Sequence, residues 1–283
     1  MHSLVIVLFL SLVWQLRLLW ERPSGNWAER WYRALFFFLL PPLLLLFAAI
    51  AVLCMGPRGE MIGIQADWIG NCIVGGGLGM AIASCAQLAL QGWCCLQQVR
   101  ALEQRAIGDR TQPVRILPTS QFFCAQIGFW QPELVVSTGL LETLSPQHLA
   151  AVLAHERAHA HYRDTFWFFW LGGLRRIASW LPNTEELWQE LLTLRELRAD
   201  RWAASRVDAL AIAEALITVV SDLKSLPDSH FCAAFARRLP SDRLQERIEA
   251  LLQPPEPPPA FPWWTWSWGI LVFFPLILIP FHR

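Results

Sequence analysis

Four stretches of this chain are long, apolar and almost free of charge, and they restrict the folds open to it. They are Ser3 to Trp20, where Arg17 is the one charged residue, Ala34 to Met55, a segment within Trp68 to Val99, and Trp263 to Phe281. A helix needs roughly 20 apolar residues to cross the hydrocarbon core of a bilayer. Hydrophobic residues make up 54% of the chain and charged residues only 16%. We therefore predict a mainly α membrane protein with about four transmembrane helices.

The interiors and flanks of these stretches fit membrane helices. A cleaved signal peptide is the alternative for the first, but residues 1–3 lack a cationic start and no small-residue cleavage site follows Trp20. Pro41 and Pro42 predict a kink in the second helix, which neighbouring helices must accommodate. The glycines of 75–79 predict close packing of the third helix, since no GK[ST] follows them to form a phosphate loop.

Basic residues in the short loops predict the orientation of the chain. Arg22, Arg30 and Arg33 lie between the first two predicted spans, whereas only Arg58 lies between the second and the third. Because cytoplasmic loops carry the excess of lysine and arginine, we expect the first loop in the cytoplasm and the N-terminus outside. The segment after the third span is then cytoplasmic, and the C-terminus is outside.

This arrangement predicts a multi-pass protein of the cell membrane, with the lipid bilayer as a partner. Residues 1–99 hold three transmembrane helices, 100–252 form a cytoplasmic α+β domain, 253–262 are a proline-rich linker and 263–283 hold the fourth transmembrane helix. Lysine plus arginine and aspartate plus glutamate both number 23, so no excess of positive charge favours nucleic acid as a partner.

Residues 154–159 of the predicted cytoplasmic domain read AHERAH, which contains the motif HExxH. On a helix, His155 and His159 lie four residues apart and project from one face, so both imidazoles can bind one metal ion. An ordinary amphipathic helix could carry the same letters by chance. Ser145 and Pro146 fit the N-cap and first residue of a helix, and together with the pattern downstream they favour a metal site.

The run ELRAD at 196–200 supplies what such a site still needs. A catalytic zinc ion takes three protein ligands and keeps a fourth position for water, so Glu196 is the candidate third ligand. Asp200 lies one turn further and can accept the free N–H of a ligating histidine, which orients the ring. Glu156 is the candidate general base, which would take a proton from the attacking water and pass it to the leaving amine. We predict one zinc ion, although these ligand types also suit other divalent metals.

Other polar residues near the motif or downstream of it have separate predicted roles. His230 and Arg247 are candidates for stabilising the transition state, with an ordinary surface position as the alternative for each. His161 cannot share the face of the two motif histidines. Asp164 is expected to cap the next helix, which would start at Thr165, rather than to serve the metal site.

A small sheet followed by helices is predicted for the domain. Short β-prone runs predict strands at Val114 to Leu117, Phe122 to Gln126 and Glu133 to Ser137. Helices are predicted at Pro146 to about His161, Thr165 to about Trp180, Thr184 to about Val207, Ala209 to about Lys224, and Asp242 to Leu252. The sheet would either offer an edge strand to an extended peptide or merely cover the zinc helix. The aromatic run 166–170 is expected to pack against the spans, with the membrane surface and the domain core as alternatives.

The chain resembles the BlaR/MecR-type integral-membrane zinc metallopeptidases, the antirepressor proteases of bacterial signalling. The resemblance covers roughly Phe122 to Ala204 and rests on GFWQPELVVSTGLLETLSPQHLAAVLAHERAHAHYRD and LLTLRELRADRWAA. It implies a zincin-like (gluzincin) domain between the third and fourth spans. It also implies His155, His159 and Glu196 as zinc ligands, Glu156 as base and Asp200 as support. HtpX-type and CAAX-prenyl-protease gluzincins are related groups that share the motif.

These observations predict a membrane-embedded zinc metalloendopeptidase. Its expected substrate is a cytoplasmic or membrane-proximal protein, and the resemblance suggests a transcriptional repressor in a signalling pathway. The β-lactam-sensing domain that follows the last span in the signalling relatives has no counterpart in this sequence, so antibiotic sensing is not carried over. The alternatives are a quality-control protease of the HtpX type and a non-catalytic membrane scaffold that retains a zinc site.

Overall fold

The computed structural model describes residues 2–21, 25–56, 60–61, 64–65, 68–106, 114–223, 241–253 and 267–281. The α-helices are α1 His2–Leu18, α2 Trp27–Met55, α3 Trp68–Arg100, α4 Thr138–Thr143, α5 Pro146–His161, α6 Asp164–Ile177, α7 Thr184–Ala204, α8 Ala209–Leu223, α9 Ser241–Leu252 and α10 Trp268–Leu271. The strands are β1 Glu60–Met61, β2 Ile64–Gln65, β3 Gln104–Arg105, β4 Val114–Leu117, β5 Cys124–Ile127 and β6 Glu133–Ser137. A 3₁₀ helix spans Phe274–Phe281.

Contacts divide the chain into two compact units. The first unit comprises Met1–Leu88, Gly172–Leu194 and Pro258–Arg283, and the second comprises Ala89–Leu171 and Arg195–Pro257. Segments from three parts of the chain pack together in the first unit, and the division predicted at residues 99 and 252 stays a prediction.

Packing between helices builds the first unit. The Asn26 side chain caps α2 by accepting a hydrogen bond of 2.9 Å from the Ala28 N–H, and α2 then continues through Pro41 and Pro42. One apolar core of this unit consists of Val13, Leu40, Leu44, Ala178, Leu181 and Val272. In the same unit, Glu190 of α7 accepts two hydrogen bonds from the Arg30 guanidinium of α2, at 2.8 and 2.6 Å.

Within the described residues, two helices are long and apolar enough to cross a bilayer, by length and composition. They are α2, with 29 residues, and α3, with 33. At the first predicted span, α1 has 17 residues, and at the fourth the structure gives the short α10 and the 3₁₀ helix. Four crossings therefore remain a prediction. The proline-rich linker lies outside the described residues, apart from Gln253.

The second unit contains a four-stranded sheet in the order β3-β4-β6-β5. The predictions for β4 and β6 are confirmed, while β5 begins two residues later than predicted. β4 pairs with β6 in parallel, whereas β5 pairs with β6 in antiparallel and forms an edge. A buried core joins the sheet to α4 and α5, and it includes Val114, Phe122, Leu134, Val136, Leu140 and Leu153.

The helices of the second unit lie close to their predicted bounds. α5 matches its prediction at both ends, and α6 to α9 differ by zero to three residues. α4 was not predicted, because six residues are too few to show a helical period. Its Gly139 allows a close approach, since a Cβ there would lie 2.0 Å from the Ser120 carbonyl oxygen.

Candidate metal centre

Ser145 and Pro146 define the N-terminal end of α5. The Ser145 side chain accepts a hydrogen bond of 3.2 Å from the His148 N–H, and Pro146 occupies the first turn. A proline is tolerated there because the first N–H groups of a helix have no partner within it. The helix then runs to His161 and carries the whole HExxH motif.

The side chains of His155, His159 and Glu196 converge in the second unit and could together hold a metal ion. Nε2 of His155 lies 3.1 Å from Nε2 of His159, and Oε2 of Glu196 lies 3.2 Å from Nε2 of His155. Oε1 of Glu196 lies 3.7 Å from Nε2 of His159. Ligand atoms on a tetrahedral zinc ion, with bonds of about 2.0–2.1 Å, are separated by about 3.3 Å. The spacing of these donors therefore fits a zinc ion.

Asp200 and Arg247 support the first histidine. Nδ1 of His155 lies 2.8 Å from Oδ1 of Asp200, an ion-pair contact rather than a well-aligned hydrogen bond. Arg247 donates from Nε and Nη2 to the two oxygens of Asp200, at 2.7 and 2.8 Å. Burial acts to raise the pKa of Asp200, but the charges of Arg247 and His155 outweigh it and lower that pKa. Asp200 therefore stays ionised, as a carboxylate that orients a ligating histidine must be.

Asp164 contacts the second histidine, His159. The sequence had predicted a different role for Asp164, as the cap of the next helix. Its Oδ2 lies 2.8 Å from Nδ1 of His159, and α6 begins at Asp164 itself. Arg198 donates to the other carboxylate oxygen of Asp164 and lies 4.1 Å from the ring centre of Tyr162. Each of the two candidate ligand imidazoles thus contacts an aspartate through Nδ1, and each aspartate contacts an arginine.

Glu196, the candidate third ligand, also lies beside charged side chains. Arg195 donates to Oε1 of Glu196 from Nε and Nη2, at 2.9 and 2.7 Å, and Nη1 of Arg247 lies 3.4 Å from Oε2. Burial acts to raise the pKa of Glu196, yet the charges of Arg195, His159 and Arg247 bring it well below its ordinary value. Burial likewise acts to lower the pKa of His155, but Asp200 and Glu196 raise it to about 10.

Glu156 is buried, with 9% of its surface exposed, and lies between the two histidines on α5. Its main-chain carbonyl accepts a hydrogen bond of 3.3 Å from the Gln126 side chain of the edge strand β5. Burial acts to lower the pKa of Arg247, but the carboxylates of Asp200, Glu196 and Glu156 raise it. The Glu156 carboxylate therefore belongs to the same electrostatic cluster as the ligands.

The two residues predicted to stabilise the transition state have different outcomes. Arg247 is buried, with 5% of its surface exposed, and its nitrogens face Asp200 and Glu196. A direct contact with a reacting group stays a prediction for it. His230 lies outside the described residues.

Asp164, Arg195 and Arg198 are the residues of this centre that sequence reasoning missed. The signal for the role of Asp164 was its position, because a carboxylate only five residues after His159 lies where the motif helix is expected to end. The signal for the arginines was their position beside Glu196 and Asp200 in a helix predicted to carry metal-site residues.

Comparison with known proteins gives one family match, over less than half of the chain, and no individual relative. No curated protein and no solved structure matches the chain. The residues of the candidate metal centre, from Gln126 to Arg247, all lie within the segment that matches one family model. Residues 123–254 match the family model of Peptidase family M48, a family of zinc metallopeptidases.

Proposed function

We propose that the protein is a zinc-dependent endopeptidase anchored in the cell membrane by several helices. The observation that carries this proposal is the convergence of His155, His159 and Glu196 at the spacing of tetrahedral zinc ligands, with Glu156 on the same helix. The match to Peptidase family M48 supports the reaction class. The two long apolar helices support the membrane location.

The residues of the centre divide the chemistry among them. A zinc ion would polarise the scissile carbonyl and lower the pKa of water. Glu156 accepts the proton of the attacking water and delivers it to the leaving amine, a role that contributes about 10²- to 10⁴-fold in rate. Asp200 and Asp164 fix the ring orientations of the two histidines, so their nitrogens stay directed at the ion.

The edge strand β5 is the proposed binding surface for the substrate main chain. Among the described strands β5 pairs with β6 alone, and the side chain of Gln126 donates a hydrogen bond to the Glu156 carbonyl of α5. An extended peptide that added to this edge by main-chain hydrogen bonds would run beside the helix that carries the catalytic motif. Such binding depends little on side chains, so sequence preference would come from the few substrate side chains that face the protein.

The proposed substrate is a cytoplasmic or membrane-proximal protein, and a transcriptional repressor is the first candidate. The predicted orientation, with residues 100–252 in the cytoplasm, supports a cytosolic target. The resemblance to antirepressor proteases supports a repressor. A quality-control protease of the HtpX type would instead cleave many unrelated membrane proteins.

The test compares new protein N-termini in cells that express the wild-type chain, Glu156→Ala or Glu142→Ala at matched levels. Glu142 is an exposed glutamate of α4, outside the centre, and serves as the control. We expect cleavages that the wild type and Glu142→Ala share and that Glu156→Ala lacks. The zinc content of purified Glu156→Ala should equal that of the wild type, because Glu156 is not a ligand.

The number of cleaved proteins decides between the two proteolytic roles. One cleaved repressor would support signalling, whereas many membrane proteins would support quality control. Identical profiles for all three chains, with zinc bound in each, would contradict proteolysis and favour a scaffold.

A further inference from the structure

Six aromatic residues of the second unit form a surface that the proposed peptide chemistry does not use. Two come from the turn between β5 and β6 and four from the first two turns of α6. We call this surface the aromatic patch, and its members are Phe129, Trp130, Phe166, Trp167, Phe169 and Trp170.

The patch is an ordered cluster centred on Phe129. The ring of Phe129 lies 4.8 Å from that of Phe166, 4.9 Å from that of Phe169 and 6.0 Å from that of Trp170. Gly128 makes the turn possible, because its φ of 132° lies in a region that side chains avoid. The turn and α6 are therefore packed against each other as one surface.

The tryptophans of the patch face outward. Trp130 is 76% exposed, Trp167 is 57% exposed and Trp170 is 54% exposed. On the inner side of α6, Phe168 is buried and its ring centre lies 4.8 Å from the Arg195 guanidinium carbon. The N-terminal half of α6 thus buries the side chain of Phe168 and exposes those of Trp167 and Trp170. Tryptophan is the residue enriched where a membrane meets water.

Two exposed tryptophans of α3 indicate which residues of this helix would lie at the two interfaces of a bilayer. Trp68 and Trp93 of this helix are 68% and 59% exposed. They lie 25 residues apart in the sequence, or about 37 Å along the axis at 1.5 Å per residue. That separation exceeds the hydrocarbon thickness of about 30 Å and stays below the total of about 40–45 Å. The two tryptophans therefore suit opposite interfaces of one bilayer.

The patch adjoins α3 at the level of Trp93. A Cβ built on Gly92 would lie only 3.8 Å from Cε2 of Phe169, so the absence of a side chain lets the patch pack directly against the helix. The exposed Arg163 lies immediately before α6 and adds a positive charge three residues before Phe166 in the sequence. A cation beside tryptophans matches an interfacial layer that contains anionic headgroups.

We propose that the aromatic patch sits in the interfacial layer of the bilayer and binds lipid headgroups and upper acyl chains. This inference rests on the proposed membrane location, though not on peptidase activity. It would also place the zinc centre near the membrane surface, because α6 begins at Asp164, the residue that holds His159. Substrates cleaved close to a membrane anchor would then be favoured.

Site-specific photocrosslinking of the full chain in vesicles of phosphatidylethanolamine and phosphatidylglycerol tests the proposal. Three variants carry p-benzoylphenylalanine: Trp130→p-benzoylphenylalanine in the patch, Met80→p-benzoylphenylalanine in α3, and Gln147→p-benzoylphenylalanine at an exposed polar position of α5. Lipid and protein adducts are identified by mass spectrometry after irradiation. A fourth variant, Trp167→p-benzoylphenylalanine, replaces the Trp130 variant if that variant does not fold.

We expect lipid adducts at Trp130 and Met80 and none at Gln147. Lipid adducts at Met80 without any at Trp130 would overturn the patch proposal while leaving the membrane location intact. Cross-links from Trp130 to a second copy or to another protein, in place of lipid, would overturn it too. Absence of lipid adducts at Met80 would contradict the membrane location itself, and equal adducts at Gln147 would contradict a lipid-specific patch.

Discussion

Arginines are the outermost layer of support for the zinc ligands. Arg247 holds Asp200, Arg198 holds Asp164, and Arg195 bonds Glu196 directly. A guanidinium suits these positions because it donates to a carboxylate in a planar fork and keeps its charge when buried. The direction of each ligand therefore depends on residues that never touch the metal.

Arg198 provides a test of this dependence, because it donates to Asp164, which in turn contacts His159. Arg198→Ala should weaken zinc binding by about 10- to 100-fold, the usual cost of losing such an outer partner. Competition with a chromophoric chelator measures the affinity. Arg206→Ala is the control, since Arg206 is exposed, donates hydrogen bonds to Ser205 and the Trp202 carbonyl, and lies over the Trp202 ring, away from Asp164 and Glu196.

An unchanged affinity in Arg198→Ala would show that the contact with Asp164 is incidental. Arg198→Lys should recover only part of the affinity, because an ammonium keeps the charge but lacks the fork. Equal losses in Arg198→Ala and Arg206→Ala would point to general destabilisation instead.

The convergence of the candidate ligands was predictable from sequence, whereas the contact of Asp164 with His159 was not. His155 and His159 follow from helical spacing alone, and Glu196 and Asp200 follow from the same spacing on a second helix. Asp164 reaches His159 only because the chain reverses at Arg163, whose φ of 54° is unusual for a side-chain-bearing residue. Periodicity describes residues within one helix and cannot reveal such a reversal.

The helix α7 carries two different groups of charged residues along its length. In its first half, Glu190 is bound by Arg30 of α2, and Leu194 accepts a hydrogen bond of 3.1 Å from the Trp27 indole. In its second half it carries Glu196 and the residues that orient the ligands. The two groups of charged residues belong to different compact units of the chain.

Two glutamates of α7 allow a matched comparison of buried and exposed ion pairs. The Glu190 side chain is 2% exposed, whereas Glu185, paired with Arg175, is 52% exposed. Glu190→Gln should destabilise the chain by about 3–5 kcal/mol, because it leaves the Arg30 charge buried without its carboxylate. Glu185→Gln should cost at most about 1 kcal/mol. Urea unfolding of the detergent-solubilised chain measures both, and equal small effects would contradict a structural role for the buried pair.

The elements of the second unit were largely predictable, while their arrangement was not. Hydrophobic periodicity and turn residues located β4, β6 and α5 at their observed bounds. The parallel pairing of β4 with β6, and the placement of β5 at the edge, are set by contacts between residues distant in sequence. Local pattern carries no information about which strands pair.

The orientation of the whole molecule in the membrane is a separate prediction. Alkaline phosphatase joined after Gln253 should be inactive, and the same enzyme joined after Arg283 should be active. This enzyme needs disulfides, which form outside the cytoplasm and rarely within it. Phosphatase activity normalised to protein amount gives the result.

Two other outcomes would each correct the predicted topology. Inactivity of both fusions would mean that the fourth apolar stretch does not cross the bilayer, in line with the short helices seen there. Activity of both would place residues 100–252 outside the cytoplasm and rule out a cytosolic repressor as substrate.

The pairing of carboxylates with arginines also fixes the charge balance of the loaded centre. Asp164, Glu196 and Asp200 each face an arginine, so these pairs cancel among the described residues. The two positive charges of the ion then exceed the one negative charge of Glu156, which leaves a single positive charge in a buried site. That excess attracts anions to the open position, so the new carboxylate end of a cleaved peptide should bind more tightly than the amine end. Inhibition by product carboxylates follows, with the corresponding amides as much weaker inhibitors.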